Sequence, residues 1–169
     1  AGSGLLGREM RIVSVALLIA TMLCSASVAP HFLGYFNYLG GGPENGWKML
    51  AHSNVDWGQD LSEARKWILE KRQESDSNHV IARIRYLGFD GEFLGAKSEA
   101  DVRNAAIRAL GQAETADAFW LLLSANCLNR GPIDPRFDEF SARRPCERLG
   151  YSYFIFRISP NEAIALLDQ

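Results

Sequence analysis

An uncharged apolar segment near the N-terminus, Ile12 to Ala29, constrains the fold of this chain more than any other feature. It contains no charged residue, no glycine and no proline. At about 18 residues it reaches the length at which a helix crosses a bilayer. Arg8 and Arg11 precede the segment, and the next Lys or Arg is Lys48. The positive-inside rule therefore predicts a membrane helix whose N-terminal side is cytoplasmic, with the residues after 30 on the extracytoplasmic side.

Two other interpretations of this segment stay open. A signal peptide also has a basic start and an apolar middle, and Ser27-Val28-Ala29 before Pro30 partly fits a cleavage site. A buried helix of a soluble domain is the third interpretation. The start, Ala1-Gly2-Ser3-Gly4, reads as an expression scar or an internal cut. We therefore expect the chain to be a piece of a longer protein.

The remaining sequence has the length of one ordinary domain. Residues 1–11 are then a cytoplasmic flank or scar, 12–29 the membrane helix, 30–47 a juxtamembrane linker and 48–169 the extracytoplasmic domain. Of the 169 residues, 47% are hydrophobic and 22% charged, which is typical of a folded protein. The net charge of -2 provides no broad basic field, so nucleic acid is not an expected partner.

Apolar periodicity predicts an alternation of strands and helices after the linker. Such alternation is typical of α/β proteins with a mostly parallel sheet and flanking helices, although the last strand could enter antiparallel. The predicted strands are Lys48–Ser53, Val80–Phe89, Ala118–Ala125 and Tyr151–Ile158, and the predicted helices are Leu61–Glu74, Ser98–Leu110 and Asn161–Leu167. The segment from Asn126 to Glu147 is predicted to be a surface excursion.

A polar motif lies between the first predicted strand and the first predicted helix. Loops at the carboxyl ends of strands are where α/β proteins usually bind ligands. Five of the seven residues from 54 to 60 carry hydrogen-bonding side chains. We take these as candidate substrate-binding residues: Asn54, Asp56, Trp57, Gln59 and Asp60.

Each of the more distinctive motif residues also has a structural interpretation. Asp60, with Glu63 three residues later, matches the capping box of a helix N-terminus. Asp56 could close an Asx-type turn. Trp57 could be a packing residue rather than a stacking platform.

The patterns of several common catalytic and metal sites do not occur. His31, His52 and His79 have no Cys or acidic partners at zinc-ligand spacing. There is no Gly-x-Ser-x-Gly elbow and no phosphate-binding loop. The sequence therefore indicates no catalytic residue, no metal site and no cofactor.

Cys127 and Cys146 flank the long polar segment. In an exported domain a disulfide between them would close a loop of about 20 residues and add about 3 kcal/mol of stability. In a cytoplasmic setting both cysteines would be free thiols.

Several stretches resemble the terminal region of bacterial membrane glycosyltransferases of family 39, which are related to protein O-mannosyltransferases. The most specific is Ser53-Asn-Val-Asp-Trp-Gly-Gln-Asp-Leu61. Supporting stretches are His31-Phe-Leu-Gly-Tyr-Phe-Asn37, Gly41-Gly-Pro43, Ser124-Ala-Asn-Cys-Leu128 and Arg148-Leu-Gly-Tyr-Ser-Tyr-Phe-Ile-Phe156. The resemblance extends from the apolar segment to Ile158.

The resemblance implies a polytopic membrane enzyme that takes sugar from a polyprenyl-phosphate donor outside the cytoplasm. In that family the catalytic carboxylates lie in an early extracytoplasmic loop, which this chain does not contain, so this segment is expected to be non-catalytic by itself. Its implied partners are membrane lipid, the polyprenyl-phosphate sugar or the acceptor, and the rest of the parent protein. The alternatives are a secreted or periplasmic ligand-binding module with a cleaved signal peptide, and a purely structural domain.

Overall fold

The fold is described here from a computed structural model of the chain. The described residues are 3–32, 36, 41–50, 56–74, 79–86, 89–92, 99–110, 119–128 and 135–168. Asn54 of the polar motif lies outside them, as do residues 51–53 of the first predicted strand.

Three helices precede the first strand of the described chain, and strands and helices are interspersed after it. The helices are α1 (Ser3–Ala26), α2 (Gly46–Met49), α3 (Leu61–Glu74), α4 (Glu99–Leu110), α5 (Ala125–Leu128) and α6 (Pro160–Leu167), with a 3-10 helix at Pro135–Ser141. The strands are β1 (Val80–Tyr86), β2 (Phe89–Glu92), β3 (Phe119–Ser124), β4 (Glu147–Leu149) and β5 (Tyr153–Ile158).

The strands form one mixed five-stranded sheet in the order β2-β1-β3-β5-β4. The predicted α/β class is confirmed. The sheet is only partly parallel, because β1 and β3 run parallel whereas the other three pairings are antiparallel. The sequence did not indicate β2 and β4, which are short edge strands that each pair antiparallel with one neighbouring strand.

The register of β5 on β3 defines the two edges of the sheet used below. Tyr153, the first residue of β5, pairs with Ser124, the last residue of β3. This end, where β1 and β3 finish, is called the carboxyl edge. Phe119 pairs with Ile158 at the other end, which is called the amino edge.

Helices cover both faces of the sheet. On one face, Ala64 and Ile68 of α3 pack against β1 residues such as Ala82. On the other face, α4, α5 and α6 form a second core that includes Ile81 of β1. The opposite sides taken by Ile81 and Ala82 follow from the two-residue period of a strand. The central strand β3 is buried on both faces, as its continuous apolar sequence predicts.

Helix α1 carries the apolar segment and extends it toward the N-terminus. Residues Gly7–Ala26 form a helix that is long and apolar enough to cross a membrane, and no residue of its apolar window is buried in the rest of the chain. Its position near the N-terminus fits a signal sequence as well. The helix ends at Ala26, earlier than the predicted residue 29, and Val28 beyond it is buried.

Two predicted helices are confirmed closely. Helix α3 spans Leu61–Glu74, as its amphipathic pattern predicts. Helix α6 begins with the predicted capping box, in which the Ser159 side chain accepts from the Glu162 N–H and the Glu162 side chain accepts from the Ser159 N–H. Pro160 occupies the first helical turn, where its missing N–H costs nothing.

The predicted strand Lys48–Ser53 is wrong where the structure describes it. Residues 46–49 form the single helical turn α2. The Gly42 carbonyl accepts the N–H groups of Asn45 and Gly46, which starts this turn. Trp47 is buried against the Phe154 ring, 5.0 Å away between centroids, whereas Met49 is 65% exposed. A strand would place Trp47 and Met49 on the same face, so the burial of one and the exposure of the other fit a helical turn and not a strand.

The segment from Asn126 to Glu147 is not wholly a surface excursion. Helix α5 follows β3 directly, and Phe137 and Phe140 of the 3-10 helix are buried in the second core. Two aromatic side chains within a polar stretch are too sparse to give a periodic signal, which explains why the sequence pattern missed this packing.

Candidate functional site

The polar motif lies at the carboxyl edge of the sheet, in contact with the turn between β4 and β5. The Gln59 Nε2 donates to Ser152 Oγ at 2.5 Å. Gly150 packs against the Asp60 carboxylate so closely that an added Cβ would overlap it, and its φ of +56° is in the left-handed region. The motif therefore reaches the predicted edge of the sheet, although no strand is seen to lead into it among the described residues.

Asp60 joins the motif to the segment that follows α1. Its Oδ1 lies 2.7 Å from His31 Nδ1, and the Asp60 side chain is 2% exposed while that of His31 is 23% exposed. The Tyr151 ring packs edge-on against the His31 ring at 5.9 Å. When His31 is protonated, this contact is an ion pair. His31 thus belongs to the site, and sequence reasoning missed it because 29 residues separate it from Asp60.

The predicted capping role of the Asp60 side chain is wrong. Its Oδ1 is taken by His31, and its Oδ2 has no hydrogen-bond partner among the described residues. The Asp60 backbone carbonyl does accept the Ala64 N–H at 3.1 Å, as in the first turn of a helix. Helix α3 therefore begins where predicted, but the carboxylate serves a contact with another segment.

Asp56 makes the Asx-type turn that was its structural interpretation. Its Oδ1 accepts the Gly58 N–H at 2.8 Å, and Gly58 adopts a positive φ of 81°. The residue is fully buried, and its Oδ2 has no hydrogen-bond partner among the described residues. The carboxylate is thus turned into the domain and away from any ligand at the surface.

Burial changes the protonation of Asp56. Loss of hydration raises the pKa of Asp56 from 3.8 to about 7, the Gly58 N–H opposes this rise, and the negative charge of Asp60 adds to it. Near neutral pH this carboxyl group therefore exchanges between its neutral and charged forms.

Trp57 is the exposed member of the motif. Its side chain is 54% exposed, while its backbone N–H donates to Gln59 Oε1 at 2.8 Å. A half-exposed indole held on an ordered turn can stack on a flat apolar surface or lie in a lipid interface. The four members of the predicted site that the structure describes are therefore two buried carboxylates, the half-buried Gln59 and an exposed aromatic ring.

These contacts form a unit that we call the joint, consisting of His31, Gln59, Asp60, Gly150 and Ser152. It connects the residues after α1 with the start of α3 and with the turn before β5. The Phe36 side chain adds a second attachment of the linker, because it packs against Gly46 at the start of α2.

In the structure Cys127 and Cys146 are not joined by the predicted disulfide. Cys127 Sγ lies 3.6 Å from the carbonyl oxygen of Arg83 in β1. The Cys146 N–H instead bonds the Ile155 carbonyl in β5. Strands β1 and β5 are separated by β3, a distance of about 10 Å. A disulfide requires Cα atoms within about 7 Å. Cys127 and Cys146, each beside one of these two strands, are therefore too far apart to be bonded.

Among the residues that the structure describes, no cluster of three His, Cys, Asp or Glu side chains is arranged to hold a metal ion. Comparison with protein-family models, with curated proteins and with solved structures finds no match to this chain. The family resemblance therefore depends on the motif residues alone.

Proposed function

We propose that this chain is the C-terminal extracytoplasmic domain of a polytopic membrane glycosyltransferase that uses a polyprenyl-phosphate sugar donor. The domain is non-catalytic by itself. Its role is to hold the exposed face of the polar motif beside the membrane, where it positions the lipid-linked donor or the acceptor.

The contact between His31 and Asp60 carries this proposal. His31 follows the last residue of α1, Ala26, by five positions, a reach of about 18 Å at full extension. Because His31 Nδ1 contacts Asp60 Oδ1 at 2.7 Å, the motif lies within that reach of the end of the apolar helix. In this proposal the end of α1 lies at the membrane surface, which is the level at which a lipid-linked donor carries its phosphate and sugar.

Trp57 is the residue through which the motif would contact a ligand. Asp56 and Asp60 are buried, so their carboxylates shape the turn, and the indole is the most exposed side chain among the motif residues that the structure describes. Aromatic rings stack readily on sugar or isoprenoid surfaces because they bury a large apolar area at low entropic cost. Loss of the ring should therefore weaken substrate binding without unfolding the domain.

The test compares Trp57→Ala with Ile107→Ala in the full parent enzyme. Ile107 in α4 is a matched control, since it is 48% exposed against 54% for Trp57 and lies outside the motif. Sugar transfer is measured in membranes as a function of donor and acceptor concentration. We expect a higher KM for one of them in Trp57→Ala and normal kinetics in Ile107→Ala.

Unchanged transfer kinetics in a folded Trp57→Ala enzyme would overturn the positioning role. One observation favours a second function in that case. Because both carboxylates of the motif are buried and Asp60 is used within the joint, the domain would then serve only to brace the membrane helices. Full activity of Trp57→Ala with loss of enzyme from membranes in His31→Ala would indicate that structural function.

A further inference from the structure

The segment that leaves α1 contains no charged group over an unusual length. Between Arg11 and Glu44 the sequence has no Lys, Arg, Asp or Glu. The apolar helix supplies only the first part of this interval, since it ends at Ala26. Val28 is buried and His31 is held by Asp60, so the uncharged linker enters the domain directly where α1 ends.

The linker meets the domain at the carboxyl edge of the sheet. Asp60, which holds His31, packs on Gly150, two residues before Ser152. The Ser152 carbonyl in turn accepts the N–H of Ala125, the residue that follows β3. The amino edge lies at the opposite end of the same strands, so the carboxyl edge is the one nearest to the end of α1.

Exposed apolar side chains concentrate at this edge. Phe32 follows His31 directly and is 59% exposed, and Trp57 lies three positions before Asp60 and is 54% exposed. Single exposed apolar residues are ordinary on a protein surface, but a group of them on one side indicates an interaction surface.

Helix α2 brings two more exposed apolar residues to the carboxyl edge. Trp47 of α2 stacks on Phe154, the second residue of β5. Met49 and Leu50, at the end of the same turn, are 65% and 42% exposed. Lys48 lies between them and Trp47, where an ammonium group can reach lipid phosphates.

The two carboxylates of the polar motif are turned away from the surface. Asp56 is fully buried and Asp60 is 2% exposed. Exposed carboxylates would oppose insertion into a lipid interface, and the motif presents its indole there instead. Trp and Tyr are the residues that membrane proteins place at the headgroup level.

We propose that the domain rests on the bilayer with the carboxyl edge of its sheet facing the lipid, and that Phe32 and Trp57 insert at the headgroup level. The partner is the lipid surface itself, because the linker that enters this edge emerges directly from the apolar helix. The inference requires α1 to lie in the membrane, but it does not require the transferase assignment.

The test measures quenching of Trp57 by lipids that carry a bromine or nitroxide group at a known depth. The whole chain is reconstituted in phosphatidylcholine vesicles, and the emission of Trp57→Phe is subtracted from that of the unchanged chain. The other three tryptophans are buried (Trp47 and Trp67) or half-buried (Trp120), and they are present in both proteins, so the subtraction isolates the exposed Trp57 indole. We expect a blue-shifted Trp57 emission that shallow quenchers reduce more than deep ones.

A matched reporter at the opposite edge provides the control. Arg103 of α4 pairs with Asp168 beyond the end of α6, at 2.7 Å, while α6 begins after Ile158 at the amino edge. Asp168 follows the far end of α6, so Arg103, near the start of α4, lies away from the amino edge. The last turn of α4, with Ile107, therefore lies toward the amino edge. Ile107→Trp in the Trp57→Phe background should give an emission that lipid quenchers do not reduce.

A third reporter protects the test from a local effect of the Trp57 substitution. Phe32→Trp in the Trp57→Phe background places an indole next to His31, and we expect it to be quenched like Trp57. Equal quenching of the indoles at positions 57 and 107, or failure of the chain to float with the vesicles, would overturn the proposal. Because no donor or acceptor is present, these results are independent of the transfer kinetics.

Discussion

Replacing Asp56 with Asn should remove a strong pH dependence of folding stability. Burial raises the pKa of Asp56 from 3.8 to about 7 in the folded protein. A raised carboxyl pKa means that the folded state holds the proton more tightly than the unfolded state. The contribution of this bound proton to the free energy of unfolding is therefore fully present below pH 3.8 and is lost as the pH rises through about 7.

The size of this effect follows from the shift. At about 1.4 kcal/mol per pKa unit, a rise from 3.8 to about 7 corresponds to about 4 kcal/mol. Most of it falls between about pH 4.5 and about pH 8, where the linkage relation gives a loss of about 3 kcal/mol. Asn keeps the acceptor for the Gly58 N–H but buries an amide donor where Oδ2 has no partner among the described residues. That cost is independent of pH.

The assay is urea unfolding of the whole chain in a non-ionic detergent, followed by tryptophan fluorescence. The free energy of unfolding is measured for both proteins at about pH 4.5 and about pH 8. From about pH 4.5 to about pH 8, we expect the free energy of unfolding of the Asn variant to rise by about 3 kcal/mol relative to that of the unchanged protein. Titration of all other groups largely cancels in this difference. A difference that stays constant with pH would refute the burial argument for Asp56.

Three further substitutions test the joint and a helix cap. Gly150→Ala should lower the free energy of unfolding by about 1–2 kcal/mol or more, since the φ of Gly150 is +56° and the added Cβ meets the Asp60 carboxylate. An unchanged urea midpoint would contradict this packing. His31→Ala leaves Asp60 buried without its partner. We expect the free energy of unfolding to fall by about 1–3 kcal/mol and amide exchange at residues 31 and 32 to become faster; faster exchange limited to other segments would argue against the joint. Ser159→Ala removes a hydrogen bond to the Glu162 N–H and should cost about 1 kcal/mol in thermal unfolding, whereas no loss would mean that the cap does not stabilise α6.

The sequence predicted the elements whose stability is local. Helix α3 has an amphipathic pattern, α6 has a complete capping box, and β3 is a continuous apolar run. Each of these signals lies within a few consecutive residues, so no knowledge of the rest of the chain is needed to interpret it.

The elements that were missed depend on distant partners. Strand β2 has a weak strand sequence, Phe89-Asp-Gly-Glu92, and forms because β1 offers it backbone hydrogen bonds. The residues around Lys48 look like a strand but form the turn α2, because Trp47 finds its packing partner in β5. Neither partner is visible in a local window.

In the candidate site as well, the sequence predicted the local contacts and missed those with distant residues. The Asx-type turn of Asp56 is a local feature and was recognised as one alternative. The use of Asp60 by His31 was not, since the local match to a capping box predicted a different partner. The five residues were predicted as one binding site. Among the four that the structure describes, burial assigns the carboxylates of Asp56 and Asp60 to the interior, leaves Gln59 half-buried and exposes the Trp57 ring.

We propose that α1 is a true membrane span of a larger transferase and that the joint holds the α/β domain beside it. The most direct test is the intact mass of the natural gene product, measured separately in membrane and soluble fractions. We predict a membrane-bound product much heavier than this chain that contains its sequence, including the apolar segment. A soluble mature protein that begins at Pro30 would contradict the claim, because the apolar segment would then be a cleaved signal peptide.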